Sequence, residues 1–189
     1  MSRAYRIQVK ESETRNVKTD DEICTQLEIL EILPPEDMEV LLKEELKKKG
    51  FTEQPDGSML RNEEDGTTIV VEPCGEVRIK VEKTEQISKE ADKEGRGWDD
   101  MGPDQKTMRE TISDELKKKI DKQFEEDRKR MQEEVSKKLE QKIQEIQPEL
   151  GQVVNQLTKE ALKQKAHKMG TITEISENEA GDMTIKLEV

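Results

Sequence analysis

Apolar and polar positions alternate twice near the start of the chain. Within residues 4–9, Tyr5, Ile7 and Val9 share one face. Ile23, Thr25, Leu27 and Ile29 make a second alternating run, continued less cleanly through Leu30, Ile32 and Leu33. Period two predicts strands. The period then changes. Pro34-Pro35-Glu36-Asp37 reads as a helix start, with proline in the first turn and acids at the positive end of the dipole. Met38, Leu41, Leu42 and Leu46 follow as an apolar stripe, and Lys47-Lys48-Lys49-Gly50 supplies cations and a C′ glycine. Three more strands are predicted at 58–61, 67–72 and 76–83. Their turns are Glu64-Asp65-Gly66 and Pro73-Cys74-Gly75, and Asp-Gly between alternating runs favours a hairpin. Residues 1–83 therefore read as an α+β head of order ββαβββ, a small antiparallel sheet with a packed helix.

The pattern thins over residues 84–110, which contain Gly95, Gly97, Gly102 and Pro103 and few aliphatic residues. They read as a flexible linker. Trp98 stands out among these glycines as a candidate docking anchor, because a tryptophan buries much surface at low entropy cost. The blander reading folds it back onto the head or the helices.

Residues 111–169 read as a helical arm with a break near 148–151. Between residues 113 and 147, 20 of 35 side chains are charged, ten of each sign. Acids precede bases at i,i+4, as in Asp114–Lys118, Glu125–Lys129 and Glu133–Lys137, an orientation worth about 0.2–0.5 kcal/mol per pair. The apolar positions are Ile112, Leu116, Ile120, Phe124, Met131, Val135, Leu139, Ile143 and Ile146. Their mean step approaches that of a hendecad, with Asp127 or Arg128 on a missing rung. One narrow stripe needs a covering partner. Val153, Val154, Leu157, Ala161, Leu162 and Ala166 suggest a second helix after Pro148 and Gly151. That helix would fold back as a hairpin over part of the first and leave the rest to another protein or a second copy. The alternative is an isolated charged spacer.

Residues 170–189 read as a C-terminal β-hairpin, a candidate to rejoin the N-terminal sheet, with its turn at 178–181. Its approach repeats the head in outline. In both places a Lys-rich helix end and a glycine precede a strand pair, with Thr68-Ile69 echoed by Thr184-Ile185.

Composition changes this picture in one respect. Only 30% of the chain is hydrophobic and 41% is charged, too little apolar surface for one evenly packed globule. The apolar residues concentrate in the two sheet-forming ends. The net charge of −12 opposes nucleic-acid binding. No apolar run is long enough for a membrane span, and residues 1–12 lack a signal-peptide core, so a cytoplasmic protein is expected. Cys24 and Cys74 lack metal spacing and read as two buried or semi-buried thiols, not a disulfide. His167 is the only histidine, which leaves His-dependent triads short of partners. No P-loop, dinucleotide fingerprint or nucleophile elbow occurs. Asp99, Asp100 and Asp104 depart from an EF-hand spacing and read as surface acids. No catalytic, cofactor or metal residue is nominated. The candidate interaction residues are Trp98 and the nine positions of the helix stripe.

A family resemblance adds to this. The opening from Met1 to Val9 with Glu11-Ser12, the run Leu27-Glu28-Ile29-Leu30 with Leu33-Pro34, Met38 and Leu41-Leu42, then Gly50-Phe51 and the 66–72 strand, look like an accessory domain of bacterial FtsH–vWA–MoxR ternary systems. The end of the chain from Lys168 through Ile175 is similar to the ends of small proteins that accompany MoxR-type ATPases. These motifs are structural, and no functional residue transfers with them. The resemblance implies a non-enzymatic adaptor working beside a MoxR-type AAA+ ATPase, a vWA protein and an FtsH-like membrane protease. The competing expectation is a self-assembling coiled-coil protein.

Overall fold

The computed structural model describes residues 3–98, 102–177 and 183–188. The fold is α+β. Strands β1 (Ala4–Gln26), β2 (Thr52–Glu53), β3 (Met59–Asn62), β4 (Thr67–Val71) and β5 (Glu76–Trp98) form one antiparallel sheet in the order β1-β5-β4-β3-β2. Helix α1 (Pro35–Lys48) precedes β2, and helix α2 (Gln105–Met169) follows β5. Strands β6 (Thr171–Glu177) and β7 (Met183–Glu188) pair in a sheet of their own. The chain divides into two units. One holds residues 1–20 and 82–136, and the other residues 21–81 and 137–189.

The first unit corrects the expected linker and shortens the list of separate strands. The predicted strands at 4–9 and 23–29 belong in large part to one element, β1, so the order is βαββββ through β5. Residues 84–98 are strand, not linker. The intervening positions escaped notice because they are polar. Their side chains pair across the ribbon, Lys10 with Glu90 at 2.8 Å, Thr14 with Ser88 at 2.8 Å and Lys18 with Glu82 at 2.8 Å. Cross-strand pairs of this kind stabilise a sheet without an apolar signature. Gly95 and Gly97 mark close approach, not looseness. A Cβ on Gly95 would stand 2.5 Å from Ile112 Cδ1, and one on Gly97 would overlap the Tyr5 ring.

One face of the ribbon meets the N-terminal half of α2. Ile7, Val9, Val17 and Ala91 from the strands pack with Ile112, Leu116, Ile120, Phe124 and Met131 from the helix. The rung missing from the apolar stripe is Asp127, which is only 6% exposed. It faces Lys89 of β5 at 2.5 Å and Arg130 at 2.9 Å. Lys89 holds the Asp127 carboxyl below its ordinary range against the opposing effect of burial. Other helix charges also reach the ribbon. Asp121 pairs with Arg15 at 2.5 Å, Glu134 pairs with Lys83 at 2.7 Å, and Glu115 bonds Lys93.

The second unit follows the sequence reading more closely. Helix α1 has proline in its first turn, Glu36 and Asp37 beside it, Lys47 and Lys48 at its end, and Gly50 at φ 84°. Met38, Leu41, Leu42 and Leu46 are buried. β3 and β4 pair from Met59↔Val71 to Asn62↔Thr68, and β4 and β5 from Thr67↔Val81 to Val71↔Val77. Helix α2 departs from expectation. It runs through Pro148 without ending, so the predicted hairpin of two helices is one continuous helix. Ile146, Leu150, Val153, Leu157 and Ala161 are buried on both sides of the proline. That shared apolar face holds the helix together across a missing hydrogen bond.

The β3–β4 turn binds α2 through charge. Lys142 contacts Glu63 at 2.8 Å and Asp65 at 3.3 Å, and Lys138 contacts Asp65 at 3.3 Å. Arg61 reaches Glu149 at 2.9 Å and lies 4.7 Å over the Phe51 ring. Burial pushes the Asp65 carboxyl up, but bonds from Thr67 and Lys138 outweigh it and bring its pKa to about 2. A depressed carboxylate contributes stability above its ordinary pKa, and the contribution fades as pH falls toward 2. Asp65→Asn keeps an acceptor for the Thr67 amide and removes only the charge. The variant is therefore expected to have a lower urea midpoint than wild type at pH 7. The two midpoints should converge between pH 4 and pH 2. Equal midpoints at pH 7 would show that Lys138 and Lys142 contribute nothing there.

The C-terminal hairpin is present, with Ile175 opposite Ile185 and a register shift between Ile172 and Glu174. It does not rejoin the five-stranded sheet. Its expected turn at 178–181 lies outside the described residues. The helix–glycine–hairpin outline thus occurs at both ends of the second unit, from α1 to β3–β4 and from α2 to β6–β7.

Candidate functional site

The structure disperses the nominated interaction residues. Ile112, Leu116, Ile120, Phe124 and Met131 are interior to the first unit, covered by its own strands. Val135, Leu139 and Ile146 are buried, and Ile143 is partly buried. The stripe is therefore core over most of its length. The strand that covers it includes residues 84–98, whose polar pattern reads as a linker. Trp98 ends β5 and is 55% exposed. Asp99 and Asp100 lie outside the described residues. Among the described residues, no group of three or more His, Cys, Asp or Glu side chains is placed to hold a metal ion. Cys24 and Cys74 are free, as expected, but both are exposed and not buried.

The surface feature best suited to binding lies in the second unit. A groove of about 960 Å³ runs between residues 23–30 and the 143–158 stretch of α2. Ile23, Leu27, Ile29 and Leu30 line one wall, and Ile143, Ile146, Leu150 and Val154 line the other. Two apolar side chains stay open to solvent here, Leu30 at 62% and Ile23 at 39%. Gly151 lies in the helix wall, and a Cβ there would meet nothing within 4 Å. The opposite wall is anchored from behind. Leu27 donates its amide to the Gly75 carbonyl at 2.9 Å, and the Gln26 side chain donates to the Cys74 carbonyl at 2.8 Å. A Cβ on Gly75 would stand 3.0 Å from Ile29 Cδ1, so the turn presses closely on this wall. The groove is thus held open by fixed elements on both sides.

Electrostatics around the groove are one-sided. Residues 19–42 contain eight carboxylates and no lysine or arginine, and residues 143–158 contain two and none. Some are neutralised from outside these stretches, as Glu149 is by Arg61 and Asp37 by Lys168. Among the described residues, Glu28 and Glu31 have no cationic partner.

Comparison with known proteins gives one family match. The sequence pattern of one family, the FtsH ternary system domain X5, matches residues 1–189. The chain belongs to that family. No curated protein and no solved structure matches it. The family covers both units, the ribbon with its helix as well as the grooved unit. The family resemblance rests on residues 1–12, 27–42, 50–51, 66–72 and 168–175, whereas the groove wall at 23–30 reads from its pattern only as a strand. An available signal was the acid-rich, base-free composition of 19–42 beside four exposed or half-exposed aliphatic residues. The X5 domain has, among its described residues, no helix long and apolar enough to cross a membrane.

Proposed function

We propose that this X5 domain is a non-enzymatic accessory subunit of an FtsH ternary system, acting in the cytoplasm as an adaptor through protein–protein contacts. Its partners would be an FtsH-like protease, which the family description names, and the MoxR-type AAA+ ATPase and vWA protein that the sequence resemblance implies. The observation that carries this reading is the match of the whole chain to a family defined by such a system. The groove of the second unit supports it, since an apolar trough with an acidic border suits a polypeptide better than a small polar substrate. The self-assembling coiled coil has less in its favour, because the stripe on which it depends is largely occupied within the chain.

Co-purification tests the proposal. The tagged full-length protein, expressed in its native host at its own level, is expected to bring down an AAA+ or vWA protein. Leu30→Lys in the groove is expected to weaken that recovery while leaving the unfolding free energy within about 0.5 kcal/mol of wild type, as for most exposed sites. Recovery of no such partner by the wild-type protein would remove the proposal.

A further inference from the structure

The groove's form specifies what enters it. Eight consecutive residues, 23–30, line one wall. A strand presenting a face would contribute only alternate residues, because successive side chains point to opposite sides. A continuous lining means that the wall is the edge of the chain, with its main-chain groups. β1 is a terminal strand of the sheet, paired only with β5. Main-chain groups alternate in direction along a strand. With the Leu27 amide turned to Gly75, those of Cys24 and Gln26 turn away from β5, and the edge ends there, where the Ile29 amide donates to the Leu27 carbonyl. An edge beside a helix, separated by an apolar trough, is the arrangement into which an extended peptide adds as a further strand.

Resting on the adaptor reading above, we infer that the groove takes an extended segment of a partner protein in which aliphatic and cationic residues alternate. The segment pairs its main chain with the outer edge of β1 at residues 24–26. Its aliphatic side chains lie against Ile146, Leu150 and Val154. Its lysines or arginines face Glu28, which lines the groove and has no cation of its own among the described residues. The surrounding acids select for positive charge and repel an acidic strand, including another copy of the 19–42 stretch.

The test uses the full-length protein and fluorescein-labelled synthetic peptides of about ten residues, read by anisotropy at low and high salt. The probe alternates valine and lysine. One control alternates valine and glutamate. Another carries N-methyl groups on every second amide, which removes one edge of strand pairing. The lysine peptide is expected to bind, with affinity falling at least tenfold on N-methylation and steeply with salt, while the glutamate peptide does not bind. In the protein, Gly151→Leu is expected to abolish binding by filling the trough, with a thermal midpoint equal to or above wild type because a helical glycine is replaced. Glu28→Lys should weaken binding at least threefold and shift preference toward the glutamate peptide.

No binding of the lysine peptide would overturn the inference, as would equal binding of the N-methylated peptide or unchanged binding by Gly151→Leu. If Gly151→Leu lowers the midpoint, the charge reversal at Glu28 decides alone, and unchanged binding by that variant would overturn the inference. Loss of the peptide result with AAA+ or vWA co-purification intact would reject the groove and leave the adaptor reading standing. The converse would reject the ternary-system role and leave a peptide-binding groove.

Discussion

Ile120→Ala is expected to destabilise the first unit by about 3–4 kcal/mol, the usual cost of truncating a fully buried isoleucine. Ile120 is 1% exposed and sits among Ile7, Val9, Val17 and Ala91 of the strands and its own helix neighbours. This cluster is small, so its neighbours cannot easily collapse into the vacancy, and one lost side chain is a large share of the whole. The change should appear as a lower urea midpoint followed by the fluorescence of Trp98, the chain's single tryptophan, which lies in the same unit. The prediction separates two views of the helix stripe. If Ile120 served an external partner, truncation would leave the midpoint of the isolated protein unchanged and alter only association. A shift under about 0.5 kcal/mol would therefore restore the partner-facing stripe and remove the intramolecular core.

The second large effect runs the other way. Pro148→Ala is expected to stabilise the second unit by about 2–3 kcal/mol. A proline inside a helix removes an amide donor and crowds the carbonyl four residues earlier, here that of Gln144. Pro148 is exposed and its neighbours Ile146 and Leu150 are buried, so alanine adds the missing bond without disturbing the apolar face. Far-UV circular dichroism during thermal or urea unfolding reads the change. A lower midpoint would mean that a bend set by the proline is required for Leu150 and Val153 to reach their places. The substitution also bears on the groove, because Gln147, Leu150 and Gly151 form its helix wall. A stabilised Pro148→Ala variant that still binds the valine–lysine peptide would show that the proline is not needed for recognition.

Local signals were legible in proportion to how local their causes are. Helix α1 could be bounded within a residue or two, since Pro35, Glu36, Asp37, the 38–46 stripe and Gly50 act within a single turn of themselves. The β3–β4 and β4–β5 turns were equally clear, because Asp65-Gly66 and the turn ending at Gly75 need backbone angles that few residues supply. The middle of β1 was not legible. Lys10, Thr14 and Lys18 become strand residues only because Glu90, Ser88 and Glu82 stand opposite, and those partners are more than sixty residues away in sequence. The same absence disguised residues 84–98. Once that segment was taken for a linker, nothing remained to cover the stripe from Ile112 to Met131, and an external partner was inferred in its place. Pro148 misled for a related reason. A proline's local effect is to break a helix, while the burial of Ile146 and Leu150 on either side acts through tertiary contact and prevailed.

By itself the sequence determined the α+β class, the bounds of α1, the turns of the second unit, the helical character of 111–169, the presence of a terminal hairpin and the family. These follow from period, capping residues and glycine placement, which operate over a few residues. Only the tertiary structure decided that β1 and β5 form one long ribbon, that the helix stripe is core, that α2 continues through Pro148, and that an edge at 23–30 faces a helix across an open trough. Each of these depends on which distant polar or apolar side chain stands opposite, and a pattern of residue types along one chain carries no record of that pairing.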